Sequence, residues 1–70
     1  MTTNKKTMTG VQLRDRRRRA DLTQSELAAL FGCHYSTIWL YEKERQKIPS
    51  RAVIALDLIL GRKEQEKRSS

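Results

Sequence analysis

Seventy residues carrying 15 Lys or Arg against 8 Asp or Glu leave a formal charge of +7, in a chain with room for one small domain and no sizeable pocket. No apolar run approaches the roughly 20 residues that cross a bilayer, and the N-terminus MTTNKKTM has no signal-peptide core. The single cysteine, Cys33, excludes an internal disulfide and a cysteine-based metal cage. These features describe a cytoplasmic protein whose basic balance favours a polyanion, either nucleic acid or an anionic membrane face.

The charge is unevenly spread. Residues 1–19 hold seven bases and one acid and residues 43–51 four bases and one acid, whereas residues 20–42 hold three acids and no Lys or Arg. Positive charge therefore flanks the stretch TQSELAALFGCHYSTIWLYE on both sides.

In chain order, residues 1–8 are polar, contain Lys5 and Lys6, and read as a flexible basic arm. Thr9-Gly10-Val11-Gln12 matches a capping box, with Met8 and Leu13 at the positions of a hydrophobic staple, and predicts a first helix over about 10–20. The same grammar returns at Thr23-Gln24-Ser25-Glu26, with Leu22 and Leu27 at the staple positions, and predicts a second helix over about 24–31. Gly32 follows where a helix end favours a left-handed residue.

After Gly32-Cys33-His34, Ile38 and Tyr41 fall on one side and Tyr35, Ser36, Trp39 and Leu40 around the other, predicting a third helix over about 35–43. Pro49 keeps Ile48 out of the helical region, and Ser50 is placed to cap a fourth helix over about 51–60. Gly61 is expected to end it, leaving 62–70 as a charged tail, frayed or weakly helical. With no strand periodicity, the expectation is a compact four-helix, all-α domain over 9–61. Cys33 reads as a small buried apolar residue.

Two short helices joined by a tight glycine turn, the second with an exposed row of side chains, describe a helix-turn-helix. Residues 13–51 resemble the Xre/Cro family, the lambda-repressor-like DNA-binding domains of phages and bacteria. The resemblance rests on Leu13 and Arg17, Leu22-Thr23-Gln24, Glu26-Leu27-Ala28, Phe31-Gly32, Ser36-Thr37-Ile38, Glu42 and Pro49. That family usually has an apolar residue where this chain has Arg16 and glycine where it has Asp21, and often places glycine near Glu44. Many members add a fifth helix that forms the dimer, for which the residues after Gly61 are few.

The resemblance implies base contacts from Tyr35, Ser36 and Leu40. The two hydroxyls could bond base edges, and Leu40 could touch a thymine methyl or simply pack. Trp39 lies on the same outward side, where DNA, the arm or fourth helix, or a protein partner could cover it. The resemblance also gives Gln24 a DNA phosphate, beside the N–H groups of a helix start. His34 and Thr37 suit phosphate contact or capping equally. Lys43, Arg45, Lys47 and Arg51 surround the loop where family members grip the backbone. Arg17 and Glu42 match a pair that joins helices 1 and 3, the alternative being that Arg17 is one more solvated arginine. Arg14, Arg16, Arg18 and Arg19 cannot all face one groove at about 100° per residue.

The fourth helix is apolar nearly all round, so a second copy of the chain is expected on Ile54 and Leu58, joined by Leu30; a fully internal helix is the alternative. The reading as a whole is a homodimeric, sequence-specific regulator of double-stranded DNA. It would bind an inverted repeat through the major groove and repress its own operon, like Cro-type repressors or the small autorepressors found beside anti-CRISPR genes. The alternative is an antitoxin-type protein-binding module with secondary DNA binding. One His, one Cys and no glycine-rich phosphate loop argue against an enzyme, and neither a cofactor, a metal nor a small-molecule substrate is expected.

Overall fold

The computed structural model of the chain describes the backbone of residues 7–69 and the side chains of residues 7–67; the expected arm therefore lies largely outside the described residues. Four helices follow one another, α1 (Gly10–Arg19), α2 (Gln24–Phe31), α3 (Tyr35–Glu42) and α4 (Ser50–Ser69), with no strand among the described residues. Both capping boxes form. Thr9 accepts the Gln12 N–H while Gln12 accepts the Thr9 N–H, and Thr23 and Glu26 do the same for α2.

The first three helices end in one way. Asp21, Gly32 and Glu44 take left-handed backbone angles, with φ of 62°, 89° and 58°. The residue after each donates its N–H five positions back, Leu22 to the Arg17 carbonyl, Cys33 to Ala28 and Arg45 to Leu40. This satisfies carbonyls that a helix end would otherwise orphan. Only one of the three positions is glycine.

Leu13, Leu27, Ile38, Leu56 and Leu60 are fully buried and form the core with Ala20, Ala28, Tyr41, Ile48, Ala52 and Val53. Helix α3 packs on α1 and α2, and α4 closes the bundle against α1 and α2.

Two expectations at α4 are corrected. Ser50 is its first residue rather than its cap, since Val53 N–H bonds the Pro49 carbonyl. Gly61 does not end it, and the helix runs on through most of the expected tail to Ser69. Contacts with α1 outweigh the glycine. Asp57, Leu60, Glu64 and Lys67 recur at helical spacing. Leu60 is buried, Arg16 forms ion pairs with Asp57 and Glu64, and the Lys67 ammonium bonds the Arg19 carbonyl at 3.2 Å. Arg16, where the resembling family usually carries an apolar residue, is thus tied to the added helical length.

Candidate nucleic-acid interface

Helix α3 is set in place from behind. Arg17 donates from Nε to Glu42 Oε2 at 2.6 Å and from Nη2 to Oε1 at 3.1 Å, while its Nη1 bonds the Leu22 carbonyl at 3.0 Å. The Gln24 amide donates to Glu42 Oε1 at 3.1 Å. The side chains of Arg17 and Glu42 are only 11% and 4% exposed, so the pair is a buried one. It joins α1, the turn before α2, the first residue of α2 and the last residue of α3.

The front of α3 is open. At about 100° per residue, Tyr35, Trp39, Ser36 and Leu40 occupy one side of the helix, opposite buried Ile38 and Tyr41. Tyr35, Ser36 and Trp39 are exposed and Leu40 half-buried. The His34 ring caps the helix, its Nδ1 accepting the Ser36 N–H at 3.2 Å and lying 2.8 Å from the Ser36 hydroxyl. The ring also leans on Tyr35, with centroids 4.7 Å apart. The Lys43 ammonium sits 5.9 Å from the centre of the Trp39 ring, within reach of a cation–π attraction.

The other sequence-derived residues divide by position. Lys43, Arg45, Lys47 and Arg51 are all exposed at the end of α3, in the loop and at the start of α4. Thr37 stands apart from the open row, half-buried and hydrogen-bonded with Cys33. Cys33 packs, partly buried, against the core. Burial pushes its thiol above the ordinary value of 9.0, with the Thr37 hydrogen bond pulling the other way, which keeps the thiolate scarce at neutral pH. Burial likewise raises the Tyr41 phenol, with Cys33 adding to the shift.

Leu30 and Leu58 are exposed and line one groove with Phe31, Ala55 and Ile59, where α2 faces α4. Ile54, also exposed, lies one helical turn before Leu58. Among the described residues no group of His, Cys, Asp or Glu could hold a metal ion, and no helix is long and apolar enough to cross a membrane.

One residue that the sequence did not single out for this purpose supports the whole arrangement. Gly10 is buried against the end of α3, and a β-carbon there would lie 2.5 Å from the carbonyl oxygens of both Tyr41 and Glu42. Its place in the first capping box was legible, but its closeness to α3 has no local signature.

A capped helix, a three-residue turn through a left-handed glycine, and a second helix with an open outer face constitute a helix-turn-helix unit. The comparison with protein families agrees, as a profile for a helix-turn-helix domain matches residues 10–69. The chain belongs to that family, whose members are DNA-binding modules and typically not enzymes. No curated protein and no solved structure matches it.

Proposed function

We propose that this helix-turn-helix protein is a sequence-specific transcriptional repressor of the Xre/Cro, lambda-repressor-like type, at home in a phage or mobile element. It binds an inverted repeat in double-stranded DNA as a homodimer, inside the prokaryotic cell or infected host. Helix α3 enters the major groove, where Tyr35, Ser36, Trp39 and Leu40 meet base edges. Gln24, His34 and Thr37 on one flank, and Lys43, Arg45, Lys47 and Arg51 on the other, take DNA phosphates. The dimer covers promoter DNA, its own operon first, and excludes polymerase.

The observation that carries this reading is the combination of an open, uncharged α3 face, anchored from behind by the Arg17–Glu42–Gln24 bonds, with exposed bases at its rim. Contacts to phosphates position a protein, while contacts to base edges specify sequence. For the dimer, the support is the apolar surface of Leu30, Ile54 and Leu58, with Leu58 68% exposed.

The test is selection of bound sites from random duplex DNA at about 150 mM salt, near physiological ionic strength. Inverted half-sites about one helical turn apart are expected. Binding without any preferred sequence, fading as salt rises, would leave only polyanion attraction. The protein-binding alternative, an antitoxin-type module, would then take over.

A further inference from the structure

Beyond the hydroxyls of Tyr35 and Ser36 and the indole N–H of Trp39, each limited to single bonds, the open face of α3 lacks the side chains that tell guanine, adenine or cytosine apart by bidentate or charged hydrogen bonding. In the major groove guanine is matched by Arg or Lys, adenine by the amide of Asn or Gln, and cytosine by a carboxylate, whereas thymine is distinguished by its C5 methyl group. From Tyr35 to Glu42 there is no Arg, Lys, Asn or Gln. The one carboxylate, Glu42, is turned inward onto Arg17 and Gln24. The Gln24 amide is held by that carboxylate, and the Lys43 ammonium lies over the Trp39 ring.

What remains outward is chiefly hydrocarbon. Tyr35 and Trp39 present aromatic rings, and Leu40 presents methyl groups beside them. The Ser36 hydroxyl is engaged with His34 Nδ1. Held there, that hydroxyl has one further hydrogen bond to offer the groove. Single hydrogen bonds of this kind discriminate less than bidentate ones.

We infer that α3 recognises its site by pyrimidine C5 methyl groups, with Trp39 and Leu40 packed against them, so that each half-site is built on thymines. The inference rests on α3 being the DNA-reading helix and names the chemistry it reads. The partner is duplex DNA because exposed bases flank the apolar face, as the charge of a phosphate backbone demands. A consequence is that 5-methylcytosine, which carries the same methyl at the same ring position, binds better than cytosine wherever a contacted thymine is replaced.

The experiment starts from the selected duplex and replaces the half-site thymines one at a time with deoxyuridine, which pairs identically and lacks only the methyl. Burial of one methyl-sized group corresponds to about a four-fold change in affinity. A loss of that size is expected at one or more positions in each half-site. It should vanish at the matching position in Trp39→Ala or Leu40→Ala, both checked for folding by circular dichroism. Where cytosine replaces a contacted thymine, methylating it should restore a similar factor.

Sequence-specific binding that is indifferent to every uracil overturns the methyl inference and leaves the DNA-reading helix standing. A uracil penalty that persists unchanged in both variants comes from DNA shape and also overturns it. Absence of any preferred sequence removes the reading of α3 itself.

Discussion

Gly10 has no room for a methyl group, because the atoms a β-carbon would meet are backbone carbonyl oxygens at 2.5 Å and cannot swing aside. Gly10→Ala is expected to cost about 2 kcal/mol through overpacking, read as a lower urea midpoint, and an unchanged midpoint would mean that α1 and α3 are less closely pressed than described. Glu44 presents the opposite case, a side chain where the backbone favours none. Its φ of 58° is left-handed, which costs an ordinary residue about 1–2 kcal/mol, while glycine loses about 0.5–1 kcal/mol more chain entropy on folding. Glu44→Gly should therefore raise stability by about 0.5 kcal/mol. Asp21→Gly should gain less, since Asp tolerates that region better. The resembling family usually has glycine at Asp21 and often near Glu44, and the two turns keep a left-handed residue without it.

At the scale of elements, the orientation of α3 depends on a buried ion pair and the length of α4 on two half-buried ones. Glu42→Gln leaves the Arg17 guanidinium without its counter-charge in a site only 11% exposed. A loss of about 3 kcal/mol is expected, measurable by denaturant unfolding. Replacing both Arg17 and Glu42 with Met should recover much of it, because the penalty lies in the stranded charge. Helix α4 holds Gly61 in its interior, where an added β-carbon meets nothing. Gly61→Ala should accordingly stabilise by about 0.5–1 kcal/mol and raise the helical signal. A fall in stability would indicate that α4 breaks at Gly61 in solution.

For the whole molecule, the proposed homodimer rests on the groove between α2 and α4. A chain of 70 residues buries a modest core, and contiguous exposed apolar surface marks an interaction site. Leu58→Glu should shift the protein to a folded monomer in sedimentation velocity, since an exposed position can accept the charge without disturbing the core. If the dimer persists in that variant, its interface lies elsewhere.

Local signals were sufficient for much of this architecture. The capping boxes at Thr9 and Thr23, the turn at Gly32 and the apolar spacing of α2 and α3 are set by neighbours within four residues, so the sequence alone placed those helices and the outward row of α3. The resemblance supplied the Arg17–Glu42 partnership, which a separation of 25 positions hides from any local rule. Only the tertiary structure decided that Gly10 must stay small and that α4 passes through Gly61. Both depend on what another helix puts alongside, the carbonyls of α3 in one case and Arg16 and Arg19 of α1 in the other. Local signals set both ends of α2, but α4 runs on past Gly61 because packing on α1 stabilises its extension.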